Sequence, residues 1–200
     1  GGYCFEQNQL LAAVLADLAV PHRLVLARVW LGASAMPPLT HLAVVATLAG
    51  QDWLMDAGFG GGYCPPLPLV AGSTAPDADG AQYRLDQDDR LGWCLTRIAH
   101  GTIVRQYSFT LAEVFPADIR MGNHWAATHP ASRFTQGLVV NRVTADGRLG
   151  LTGARLSRIG AAGQEEEIIT ADQLGAVLAS QFGLRLDPAD VAALSRFLGP

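Results

Sequence analysis

The chain has 200 residues, half of them apolar and 16% charged; that composition supports a buried core in one large domain or two small ones and excludes a disordered chain. A net charge of −4 without any lysine–arginine cluster excludes recognition of nucleic acid through a basic face. No apolar run reaches the roughly 20 residues that a membrane-spanning helix needs, so no membrane partner is expected.

The chain opens on Gly1-Gly2 without a methionine and reads as a piece whose beginning lies elsewhere. It carries no basic-then-apolar leader, so the expected compartment is the cytoplasm. Phe5 to Leu18 is predicted helical, with Leu11, Val14, Leu15 and Leu18 as its apolar face. Cys4 then lies at a helix N-terminus. Arg23 to Leu31, His41 to Leu48 and Asp52 to Ala57 are predicted strands, the last two joined in a hairpin through Ala49-Gly50-Gln51. Gly58 to Gly62 is glycine-rich, Pro65 to Pro68 a stiff connector and Ala71 to Gly80 a polar loop. Gln82 to Leu85, Trp93 to Ile98 and Ile103 to Phe109 are further strands. Phe115 to about Pro130 is helical or irregular. Leu138 to Val143 and Leu149 to Leu156 are strands around a turn at Asp146-Gly147, and Ile168-Ile169 closes another. Ala171 to Phe182 and Pro188 to Phe197 are helices, the second opening on a cap residue followed by proline. This pattern is α+β.

Three residues stand out chemically. A thiol becomes a strong nucleophile only when deprotonated, which a helix N-terminus and a neighbouring imidazole both favour; Cys4 has the first of these. In the hairpin, a register placing Ala43 opposite Asp56 puts His41 and Asp56 on one face, about 7–8 Å apart along the backbone and within reach of a carboxylate–imidazole hydrogen bond. Such a carboxylate fixes the ring tautomer and stabilises the imidazolium. Each residue also has a plain structural reading: Cys4 a buried thiol, His41 a polar strand residue, Asp56 a turn cap. The other cysteines, Cys64 and Cys94, are expected to be inert, and the odd cysteine count without metal-like spacing argues against both a disulfide framework and a zinc site.

Around these positions run Gly1-Gly2-Tyr3-Cys4-Phe5-Glu6-Gln7-Asn8, Thr40-His41-Leu42 and Asp56-Ala57-Gly58-Phe59-Gly60-Gly61. They resemble, in order and spacing, the three signature segments of arylamine N-acetyltransferases. The resemblance continues through Tyr107-Ser108-Phe109, Met121-Gly122-Asn123-His124-Trp125 and Gln181-Phe182-Gly183-Leu184. It implies a catalytic helix, a central antiparallel β-barrel and a C-terminal α/β lid, with residues 1–20 a remnant of an N-terminal helical subdomain, 21–110 the barrel, 111–136 an interdomain segment and 137–200 the lid. About 60 residues that family members carry before the signature cysteine are absent here, so the chain resembles a truncated member whose helix lacks part of its cover. The resemblance further implies a ping-pong transfer of an acetyl group from acetyl-CoA, as cosubstrate and without a metal, to an aromatic amine, arylhydroxylamine or hydrazine. Cys4, His41 and Asp56 are then the catalytic triad. Thr40, Gly58, Gly60 and Gly61 approach the CoA thioester, and Phe5 and Phe59 line the acceptor pocket.

Other readings stay open on the sequence. A related amide synthase would use the same triad to close a macrolactam. A papain- or transglutaminase-like hydrolase also runs Cys, His and an acid along the chain. A truncated chain would also be compatible with an inactive module that binds CoA. The oligomeric state is left open, a homo-oligomer included.

Overall fold

The computed structural model describes residues 1–60 and 64–199. Helix α1 spans Cys4–Asp17, and the Glu6 carboxylate accepts the Tyr3 backbone N–H at 2.9 Å just ahead of it. Its buried face differs from the predicted one. Cys4, Phe5, Asn8, Ala12 and Leu15 are buried, whereas Val14 and Leu18 are exposed. What lies opposite decides this: small Ala12 lets the helix close on Val44 and Ala46 of the sheet, and Asn8 finds polar partners that an aliphatic side chain would leave unpaired.

Strands β1 (His22–Val29), β2 (Leu39–Leu48), β3 (Gln51–Met55), β4 (Leu67–Pro68), β5 (Ser73–Pro76), β6 (Gln82–Asp88), β7 (Gly92–Ala99) and β8 (Thr102–Phe109) form one antiparallel sheet, ordered β4-β3-β2-β1-β8-β7-β6-β5. The two outer strands lie at consecutive positions in the chain, and Ser73 Oγ donates to the Pro68 carbonyl at 2.7 Å, so the sheet nearly closes into a barrel. Val25, Val45, Leu54, Leu85, Leu95 and Phe109 fill its interior. The expected connector and polar loop over 65–80 therefore contain two short strands. Pro68 and Pro76 disguise them in the sequence, yet edge strands tolerate proline because one row of their N–H groups needs no ladder partner.

Two local irregularities position the site. In the β2–β3 hairpin Val44 lies opposite Met55 and Leu48 opposite Gln51, the register expected from the sequence. Ala49 and Gly50 both take positive φ (51° and 80°), as a two-residue hairpin turn requires. Strand β3 ends at Met55, so Asp56 lies just beyond it instead of inside it. Between β1 and β2, Ala27 pairs with His41 but Arg28 pairs with Leu39. Thr40 is thus an extra residue in a β-bulge beside His41.

Helices α2 (Pro116–Thr128) and α3 (Arg133–Gln136) follow. The chain divides into two compact units, Gly1–Trp125 and Ala126–Pro200. The second contains a four-stranded meander, β9 (Val139–Thr144), β10 (Gly147–Thr152), β11 (Arg155–Gly160) and β12 (Gly163–Ile168), packed through Leu151 and Leu156 on Leu174 and Leu178 of α4 (Ala171–Phe182). Helix α5 (Pro188–Ser195) completes it. The predicted strand over 149–156 is in fact the end of β10 and the start of β11, broken by a turn at Gly153 with φ 54°. The acidic run Glu165–Glu167 lies on edge strand β12, where Arg155 pairs with Glu166 and Arg158 with Glu167 at 3.6 Å. A charged edge discourages further strand pairing. Antiparallel sheet with segregated helices makes both units α+β. Among the described residues, no helix is long and apolar enough to cross a membrane.

Candidate active site

Cys4 is the first residue of α1 and only 4% exposed. Its sulfur points to the carbonyl of the bulged Thr40, 3.9 Å away. His41 shares the barrel-facing side of β2 with Ala43 and Val45. The rings of Phe59 and Tyr107 pack on it, at centroid distances of 5.1 and 4.8 Å. The turn after β3 returns Asp56 to the same place. Its Oδ2 lies 2.7 Å from His41 Nε2, and both side chains are almost wholly shielded from solvent. Its Oδ1 accepts the Asn8 amide at 2.9 Å and the Gly58 backbone N–H at 3.0 Å. With Nε2 occupied by Asp56, Nδ1 is the remaining polar atom of the ring, and Cys4 helps to favour the charged form of the same imidazole. The structure thus brings Cys4, His41 and Asp56 together.

Burial alone would drive the imidazole neutral. The charge and hydrogen bond of Asp56, with a further contribution from Cys4, outweigh that and raise the His41 pKa to about 10. Burial likewise pushes the Asp56 carboxyl up, but the charge and hydrogen bond of His41 and the donors from Asn8 and Gly58 hold it below its ordinary value. These directions fix how the pair couples to folding. The folded chain holds the His41 proton more tightly than the unfolded chain does. That contribution is complete below the ordinary imidazole value of 6.5 and is lost as pH rises through about 10. The Asp56 contribution is present above 3.8 and is lost as pH falls through its lowered folded value. Chemical denaturation across pH is therefore expected to show stability declining from pH 6.5 toward 10, with the decline flattened in His41→Gln. An equal decline in that variant would contradict the assignment.

Gly58 has a packing reason to be glycine. A Cβ there would lie 2.6 Å from Cys4 Cα and 3.0 Å from Asn8 Nδ2. Gly58→Ala is expected to push the loop and the Cys4 backbone apart, slowing any reaction at Cys4 about 100-fold, as displacements near 1 Å do in reacting sites. It should also destabilise the fold by about 1–3 kcal/mol through overpacking. Stopped-flow kinetics and thermal melting check both, and an unchanged rate would refute the close-packing argument. Gly60 is exposed and takes φ 80°, a conformation that favours glycine. Gly61, also predicted to approach CoA, lies outside the described residues. Phe5 is fully buried, its ring 5.7 Å from that of Tyr3. Gly122 of α2 sits against it, where an added Cβ would meet the Leu39 carbonyl at 2.8 Å and the Phe5 ring at 3.1 Å.

Two residues at the site carried no role in the sequence reading. Asn8 is completely buried on the inner face of α1. Tyr107 is completely buried, and its hydroxyl has no hydrogen-bond partner among the described residues. Periodicity could not single them out, because a polar helix residue and a strand tyrosine are both common on surfaces. The remaining thiols differ from Cys4 in setting. Burial, then the charges of Asp56 and Asp77, push Cys64 well above the ordinary thiol range. Burial also raises Cys94.

Comparison with known proteins agrees with this geometry. A family model described as N-acetyltransferase matches residues 1–191. The arylamine N-acetyltransferase of Escherichia coli is 36% identical over 194 residues, covering 94% of this chain and 68% of that protein. The solved arylamine N-acetyltransferase from Salmonella typhimurium superposes with a TM-score of 0.90 at 32% identity, over 98% of this chain and 75% of the other. The Mycobacterium marinum enzyme in complex with CoA gives 0.89 at 32% identity, over 100% and 77%. With the family matched over nearly the whole chain in sequence and in fold, the protein belongs to the arylamine N-acetyltransferases and is an acyltransferase.

Proposed function

We propose that this acyltransferase takes an acetyl group from acetyl-CoA onto Cys4 and passes it to an aromatic amine, arylhydroxylamine or hydrazine. The observation that carries the reading is the buried His41–Asp56 pair at 2.7 Å beside the thiol at the start of α1. A similar protein from Mycobacterium marinum has been solved with CoA bound, which supports the donor.

His41 held as imidazolium by Asp56 gives the Cys4 thiolate a counter-ion. Cys4 attacks the thioester carbonyl, its new S–C bond replacing the S–C bond to CoA. The departing CoA thiolate takes the His41 proton and leaves as the free thiol. The amine then attacks the acetyl-Cys4 carbonyl, His41 accepts the amine proton, and the Cys4 thiolate is expelled, restoring the ion pair. Proton count and charge return to their starting values. The bulged Thr40 and the loop of Gly58 and Gly60 offer backbone to the thioester end of the donor. Gly61 is assigned the same role from sequence. Phe59, half-buried, offers a ring to a flat acceptor, and fully buried Phe5 shapes that side without open surface.

A matrix of acetyl-, propionyl- and malonyl-CoA against anilines and hydrazines tests the reading. Turnover with acetyl-CoA and aromatic amines, showing parallel double-reciprocal plots, is expected. Intersecting plots would remove the ping-pong scheme, and hydrolysis of peptide amides without acyl-CoA turnover would reject the reading.

A further inference from the structure

Asn8 joins the three segments that carry the proposed triad. Its side chain has no exposed surface, so it touches neither solvent nor any ligand in this conformation. Nδ2 donates to the Leu42 carbonyl at 2.7 Å and to Asp56 Oδ1 at 2.9 Å. Oδ1 accepts the Ala57 N–H at 3.0 Å. Leu42 directly follows His41 on β2, Ala57 directly follows Asp56, and Asn8 sits one helical turn after Cys4 on the same buried face of α1. One planar group must supply two donors and one acceptor here. Among side chains only a primary amide does so, and glutamine would be one bond too long. Serine, aspartate or alanine each lose at least one of the three bonds.

We infer that Asn8 is a positioning residue for acyl transfer, fixing the Asp56 carboxylate in line with His41 and tying both to the helix that presents Cys4. It acts through Asp56, without contact to the reacting atoms. The inference rests on the reading of Cys4 as nucleophile and deepens it. Among the described residues, other charged or titratable groups at this point are few. Cys4, Asp56 and the Tyr107 ring face His41, and Asp56 in turn faces Cys64 and Tyr107. Burial, first among several causes, holds both the Cys64 thiol and the Tyr107 phenol up, so neither ionises across the neutral range. The charge that Asn8 governs is therefore that of Asp56, read out on His41.

The test compares wild-type protein with Asn8→Ala in two measurements. Single-turnover acylation by acetyl-CoA should slow about tenfold or more, the worth of one hydrogen bond to a charged group, while the KM for the donor stays within about twofold. Titration of the His41 ring by 15N NMR should show its midpoint about one pH unit or more lower than in wild type. A merely structural asparagine would lower the melting temperature and leave the His41 midpoint unmoved; that result in a folded variant overturns the proposal. If Asn8→Ala does not fold, Asn8→Ser carries the same test, since its hydroxyl is shorter than the amide and cannot hold Leu42 and Asp56 together. A wild-type midpoint in that variant likewise overturns it. Failure of the wild-type protein to form acetyl-Cys4 would instead remove the nucleophile reading, and the ring titration still reports on Asn8 independently.

Discussion

Replacing Cys4 by alanine will lower acyl transfer by about five orders of magnitude or more and leave the fold intact. Loss of a nucleophile that works with a paired base removes the covalent route altogether, and the remaining groups act on nothing. The other two cysteines cannot substitute, because neither begins a helix, Cys64 lying just ahead of β4 and Cys94 within β7, and burial raises both above the ordinary thiol value. Alanine is smaller than cysteine and Cys4 is the first residue of its helix, so melting should change little. Steady-state kinetics beside circular dichroism check this. The same contrast should appear in alkylation: iodoacetamide at neutral pH should label Cys4 ahead of Cys64 and Cys94. A Cys4→Ala protein that still transfers acetyl groups at a tenth of the normal rate would refute the role proposed for it.

Asp56→Asn should cost about 10^3 to 10^4 in the acylation rate while preserving shape, and the reason lies in the donors around it. Asn8 and the Gly58 N–H both donate to Oδ1. An asparagine at position 56 must therefore place its oxygen there and turn its NH2 toward His41 Nε2. Nε2 then becomes the acceptor and the ring proton moves to Nδ1, the tautomer that cannot take a proton from the thiol. The same change removes the charge that holds the imidazolium against burial. The magnitude follows the cost of an inverted tautomer in other nucleophile–histidine–acid sites. Pre-steady-state acylation and the His41 ring signals in 15N NMR check it. A variant within tenfold of wild type would show that the 2.7 Å contact is structural only.

How far the sequence reached depends on which forces were local. The β2–β3 register follows from the Ala49-Gly50 turn and the alternation in His41, Ala43 and Val45, so the approach of His41 and Asp56 could be read before the fold was seen. Helix α4 spans the range read from the sequence, Ala171–Phe182, and the structure closes it with Thr170 and Gln173 at one end and Gly183 at φ 72° at the other. The buried face of α1 could not be read the same way. Its leucines suggested one stripe, but the helix turns Asn8 and Ala12 inward because their partners, Leu42, Asp56 and Ala57 for one and the sheet for the other, are dozens of residues away. Strands β4 and β5 were hidden for a related reason, since pairing with β3 and with β6, and not residue preference, forms them. The buried hydroxyl of Tyr107 is likewise a product of tertiary packing around His41.

The acyl-enzyme itself gives the most direct test of the central claim. The protein is mixed with acetyl-CoA in the absence of an amine, measured by intact mass spectrometry, and mapped after digestion. A gain of one acetyl group located on Cys4, discharged on adding an aromatic amine with release of the acetylated amine, is the result predicted. No stable adduct, or an adduct on Cys64, Cys94 or a surface residue with Cys4 unmodified, would contradict it.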